Sequence, residues 1–184
     1  MNIIVAITGA SGAIYARQTL EVLAASSEVE RIALILSSSA EDVLRAEGVE
    51  LPQCERVERY ANDNMWSSVA SGSARWDAMI VVPASMGTVG RVAAGVSQTL
   101  IERAADVMLK ERRPLVMVVR ESPYSLVHLR NMTTLTEAGA LIMPASPSFY
   151  FNPSSIDELT MTLVMCVVEM AGVSVSHRAW GESL

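Results

Sequence analysis

The chain alternates short, wholly apolar runs with stretches in which apolar residues recur at helical spacing. Ile3 to Ile7, Arg31 to Leu36, Ala78 to Val82, Leu115 to Val119 and Ala140 to Met143 read as strands buried on both faces, the habit of a parallel sheet. Pro83 and Pro144 are expected to end two of them. Between the strands the pattern predicts helices over Ile14 to Ala25, Ala40 to Glu47, Thr99 to Arg112 and Ser125 to Ala138. Ser155 caps a last helix whose expected inward positions are Ile156, Leu159, Leu163, Cys166, Val167 and Met170. Leu51 to Tyr60 reads as loop with a short edge strand, and Asn62 to Arg75 as loop. Strand and helix in alternation predict an α/β fold: three layers, helix–sheet–helix, of the Rossmann-like or flavodoxin-like kind with a mostly parallel sheet. No repeat, low-complexity segment or linker interrupts it. Residues 1–184 are therefore read as a single domain, with the final helix and tail, about 155–184, expected to make oligomer contacts.

The candidate chemistry gathers where strands end. The loop Thr8-Gly9-Ala10-Ser11-Gly12-Ala13 joins the first strand to the first helix and points that helix's unpaired amides at whatever lies above the sheet. It reads either as a phosphate seat or as a small-residue turn that packs helix on sheet. Ser37-Ser38-Ser39 follows the second strand, where a nicotinamide-binding fold would want an acidic residue for ribose, so a dinucleotide is disfavoured. Ala84-Ser85-Met86-Gly87-Thr88 repeats the theme after Pro83. Two such turns at one edge of a parallel sheet face each other across a crevice suited to a ligand. Arg120-Glu121-Ser122-Pro123 ends a fourth strand at that edge.

In the helix from Thr99, an apolar stripe of Ile101, Ala104, Ala105 and Met108 predicts the buried face. Arg103 and Lys110 share the opposite face with Asp106 between them. That face is either a solvated charge ladder or a cationic wall for an anion. Trp66 in its Ser-rich loop is either a packing anchor or part of a ligand site.

A net charge of −6 argues against nonspecific nucleic-acid binding. No apolar run reaches the ~18 residues of a membrane span. Two cysteines in no metal or disulfide pattern suit a reducing cytoplasm. An apolar content of 51% with only 5% aromatics predicts that copies of the chain seal part of its surface.

Taken together, T-G-A-S-G-A, A-S-G-S from Ala70 to Ser73, P-A-S-M-G-T from Pro83 to Thr88, the block from Glu102 to Pro123, P-A-S-P-S-F-Y from Pro144 to Tyr150 and a late W-G resemble the UbiX-type flavin prenyltransferases. The resemblance covers essentially the whole chain. It implies a cytoplasmic homododecamer that joins the dimethylallyl group of dimethylallyl phosphate to reduced FMN without a metal. The product would be prenylated FMN for a UbiD-type decarboxylase. Carried over by position, it implies that Gly9, Ala10, Ser11, Ser37, Ser85, Met86, Gly87, Thr88 and Arg120 contact FMN. Lys110, Arg120, Glu121 and Tyr150 would surround the prenyl phosphate, and Arg103 would reach it from a neighbouring subunit. For an allylic C–O cleavage these types make sense: Arg120 and Lys110 stabilise the departing phosphate, Tyr150 and Trp66 face the allyl cation, and Glu121 moves protons.

Two positions depart from the family pattern. Cys166 stands where an arginine usually grips the phosphate, and Met65 where the loop tryptophan belongs, with Trp66 shifted by one. Loss of the arginine predicts phosphate binding weakened by roughly 2–5 kcal/mol. Two alternatives therefore stand beside prenyl transfer: an FMN carrier that has lost or altered it, and a related flavin-dependent decarboxylase of the peptidyl-cysteine or pantothenoylcysteine kind.

Overall fold

The computed structural model describes residues 1–176. Six strands, β1 (Asn2–Ile7), β2 (Arg31–Leu36), β3 (Val57–Tyr60), β4 (Ala78–Ala84), β5 (Leu115–Val119) and β6 (Leu141–Pro144), form one sheet in the order β3-β2-β1-β4-β5-β6. Every pairing is parallel. The helices are α1 (Ala13–Ala25), α2 (Ser38–Glu47), α3 (Met86–Ala93), α4 (Leu100–Glu111), α5 (Leu126–Glu137) and α6 (Ile156–Met170). Odd residues of β1 (Ile3, Val5, Ile7) pack with α1, α2 and α6 in one core. Even ones (Ile4, Ala6) pack with α3, α4, α5 and Trp76 in the other. The three layers follow from that alternation, since a strand with both faces covered leaves no polar position inside. Strand order reverses between β1 and β4, which opens a crevice at their carboxyl ends.

Most predicted elements are present, with four corrections. Pro83 does not end its strand: the register shifts between Val81 and Ala84, and the proline's carbonyl, which needs no N–H of its own, accepts from the Thr8 amide at 3.2 Å. The helix expected from Ala40 starts at Ser38, because Ser37 takes the extended conformation of an N-cap. The loop from Asn62 contains two 3₁₀ turns, Ser68–Ala70 and Gly72–Ala74. The buried stripe of α6 is Thr160, Leu163, Val164, Val167 and Val168, whereas Ile156 and Met170 are exposed and Leu159 and Cys166 lie on its flank. Leu163 and Val167 are buried as expected, and Thr160, Val164 and Val168 complete the face where α6 packs in the α1 core. The tail motif Arg178-Ala179-Trp180-Gly181 lies outside the described residues.

Candidate functional site at the carboxyl edge

Thr8 ties the two predicted turns together. Its hydroxyl donates to the Pro83 carbonyl at 2.8 Å and accepts from the Ser85 amide at 2.8 Å, so the β1–α1 and β4–α3 loops are bonded across the crevice. Ser85 caps α3, accepting from the Thr88 amide at 3.3 Å with the two hydroxyls 3.1 Å apart. Gly9 permits a close approach: a Cβ there would lie 2.5 Å from Ser39 Cβ, so only a residue without a side chain lets α2 begin against this loop. Arg120 closes the far side, its Nε donating to the Ser11 carbonyl at 3.3 Å, and Glu121 accepts from the Ser122 amide at 2.9 Å. Gly9, Ala10, Ser11, Ser37, Ser85, Met86, Gly87, Thr88, Arg120 and Glu121 thus share one edge.

The amino terminus of α1, read either as a phosphate seat or as a packing turn, holds an anion of the chain's own. Glu47, the last residue of α2, accepts from the Gly12 amide at 2.8 Å and the Ala13 amide at 2.7 Å. Since α2 starts beside Gly9 and ends beside Gly12, it lies across the β1–α1 turn. Burial works to raise the Glu47 pKa, but hydrogen bonds from Gly12, Ser11 and Ala13, and the charge of Arg120, outweigh it and hold the carboxyl below the ordinary glutamate value. No sequence signal marks Glu47; it is a polar residue at the end of a helix. At the start of α2, by contrast, the N-cap Ser37 makes no side-chain capping bond and has a buried hydroxyl with no hydrogen-bond partner.

The remaining predicted residues lie elsewhere. Arg103 pairs with Asp106 at 2.6 Å and donates to the Ala70 carbonyl at 3.1 Å, strapping the 62–77 loop to α4. Lys110 pairs with Glu111, not with Asp106, so the expected ladder is only half built. It sits at the opposite, amino edge, beside a groove it lines with Arg112, Arg113, Glu137, Leu141 and Met170. Trp66 is 99% exposed. Tyr150 stacks edge-on against Phe151, centroids 4.5 Å apart. Cys166 is half-buried and donates to the Thr162 carbonyl at 3.4 Å, while the Thr162 hydroxyl accepts from the Ser148 amide. No cluster of His, Cys, Asp or Glu suited to a metal occurs among the described residues, and no described helix is long and apolar enough to cross a membrane.

A family model described as Flavoprotein matches residues 1–171. The chain is 41% identical to flavin prenyltransferase UbiX of Methanocaldococcus jannaschii, over 98% of its own length and 99% of the relative's. The structure of AnUbiX (PadA1) in complex with FMN and dimethylallyl pyrophosphate superposes with a TM-score of 0.89 at 39% identity, covering 97% of this chain and 98% of that one. A dodecameric FMN-dependent UbiX-like decarboxylase from Escherichia coli O157:H7 gives 0.89 at 35% identity over 98% and 99%.

Proposed function

This chain belongs to the Flavoprotein family and, within it, to the flavin prenyltransferases of the UbiX type; from that membership we propose that it transfers a dimethylallyl group from an allylic phosphate to reduced FMN. The observation that carries the reading is the convergence at one sheet edge of the partnerless Ser37 hydroxyl, the Ser85–Thr88 turn and Arg120. The FMN phosphate binds at the start of α2, against Ser37 and the side-chain-free Gly9. The polar edge of the flavin ring meets the first turn of α3, and Ala10, Ser11 and Met86 line the space between. Glu47 stays ionised and keeps the start of α1 closed to the phosphate.

In the transfer, the allylic C–O bond breaks and its electron pair leaves with the phosphate. The first new bond to the flavin takes the carbon freed by C–O cleavage. The second consumes the prenyl C=C, which is protonated at one end as its other end joins the flavin and closes a fourth ring. Of the two protons the flavin gives up, one ends on that carbon and the other on the phosphate, relayed by a carboxylate. Arg120 grips that phosphate, with Glu121 beside it for proton transfer. Tyr150 and Trp66 offer ring faces to the allyl cation. Lys110 and Arg103 serve the site of a neighbouring copy: Lys110 lies at the amino edge of its own sheet, a strand's length from its own Arg120. The assembly is a dodecamer working in the cytoplasm, and its product goes to a UbiD-type decarboxylase.

Cys166 favours a second reading, a flavin carrier. A half-buried thiol bonded to its own helix brings no charge to a phosphate. Incubating the protein anaerobically with reduced FMN and dimethylallyl phosphate and weighing the flavin separates the two. A flavin heavier by one prenyl unit is expected, with faster turnover in Cys166→Arg. Bound but unmodified flavin in wild type, restored to prenylation by Cys166→Arg, would establish the carrier.

A further inference from the structure

One strong internal charge takes no part in the site as described. Glu102, in the first turn of α4, has a side chain only 2% exposed. It accepts from the Gln98 and Thr99 amides at 2.9 and 3.0 Å and from Arg91 Nε. Each of those donors would lose its partner if the carboxylate were absent, so its anchoring of Arg91 is not a surface accident. From that anchor the Arg91 guanidinium folds back toward the amino end of α3. Its Nη2 donates to the Thr88 hydroxyl at 3.4 Å, and its Nη1 lies 3.3 Å from where a Cβ on Gly87 would stand.

We propose that Arg91 is a positioning residue for the cofactor-facing turn of α3: held by Glu102, it fixes the Thr88 hydroxyl and turns the Nη side of its guanidinium, away from the Glu102 carboxylate at Nε, toward Gly87, so that reduced flavin is bound more tightly than oxidised. This rests on the flavin-binding reading above. By taking one lone pair of the Thr88 oxygen, Arg91 leaves the Thr88 proton for Ser85 or for a ligand acceptor. Gly87 contributes by keeping that approach open, since a Cβ there would press on the guanidinium at 3.3 Å. The charge adds to the positive end of the α3 dipole at the same turn. Reduction makes the ring electron-rich and, at neutral pH, anionic along its N1–C2=O edge, so a fixed cation there favours the reduced form that accepts the prenyl group. Half of the Arg91 side chain is in solvent, which limits the effect to a modest factor.

The test uses full-length wild type, Arg91→Met and Arg91→Lys with FMN, measuring the dissociation constant of oxidised FMN and the midpoint potential of the bound flavin. Arg91→Met is expected to weaken reduced FMN five- to tenfold more than oxidised FMN, a fall of roughly 20–30 mV at ~30 mV per tenfold for two electrons. Arg91→Lys should recover most of it. In a Thr88→Val background the effect of Arg91→Met on oxidised FMN should shrink, since the path through the hydroxyl is already cut. A folded, FMN-loaded Arg91→Met with the wild-type potential would overturn the proposal, as would an equal fall in Arg91→Lys. If Arg91→Met does not fold, Arg91→Gln, which keeps a donor for Glu102, takes its place: a lowered potential supports the proposal and an unchanged one overturns it. Wild-type protein that takes up no FMN would instead overturn the flavin-binding reading itself, and that is seen before any variant is compared.

Discussion

At Gly9 a single hydrogen in place of a methyl decides how close α2 comes to the first loop. A Cβ would stand 2.5 Å from Ser39 Cβ, a distance no pair of carbon atoms tolerates, so the start of α2 must shift. Gly9→Ala is expected to weaken FMN binding at least tenfold, about 1.4 kcal/mol, and to cost about 1–3 kcal/mol of stability as α2 is pushed away; flavin fluorescence quenching and a thermal melt check the two halves. Residues such as Gly9, Ser37, Ser85 and Arg120 are legible in sequence because they sit just after buried strands, where a parallel sheet gathers its ligands. Glu47 is not, because a carboxylate at the far end of a helix looks the same whether it faces water or another helix's amides. Cys166 shows the opposite failure: counting helical turns put it inward, yet α6 buries Val164, Val167 and Val168 and leaves the thiol at the flank.

At the scale of elements, Glu102 joins α3 to α4 through Arg91 and closes the first turn of α4 in a capping box with Thr99. Burial works to raise the Glu102 pKa, but the bond from Arg91 and the amides of Thr99 and Gln98 outweigh it, so its carboxyl lies below the ordinary glutamate value. The folded state therefore gains stability from this group wherever it is ionised in both states, above about pH 4.3, and loses it as the pH falls through the depressed folded value. Glu102→Gln is expected to lower stability by about 1–2 kcal/mol at neutral pH, discounted for the half-exposed arginine. The deficit should close when both proteins are melted at successively lower pH below about 4.3; a constant gap down to pH ~3 would contradict it. The stripe from Ile101 to Met108 was readable from spacing, whereas the same reading placed Thr99 inside the helix that it caps. The tilt of α2 was not, since no local signal distinguishes a helix that runs down a sheet from one that crosses its edge.

For the whole molecule, the surface is unfinished. Leu126 and Val127 on α5 are 60% and 63% exposed, and Phe149 and Ile156 are each 70% exposed. Side chains of this size in such number are a liability for a lone chain and a resource for an assembly. The double change Leu126→Glu with Val127→Glu is expected to convert the proposed dodecamer to smaller species in light scattering, with the far-ultraviolet dichroism of the fold retained. An assembly unchanged in mass would remove this face from the contacts. Abundant small apolar residues already suggested self-association, but which faces meet depends on how helices rotate on the sheet, and that is set by packing rather than by any one motif.

The five residues of β5 carry a further consequence. They hold Lys110 and Arg120 at opposite rims, about 16 Å apart by strand length alone. If both cations are needed on one leaving group, a newly made chain is chemically mute however well it has folded. Heterolysis of the allyl donor then awaits the arrival of siblings, and a carbocation is never released into a half-finished chamber open to water.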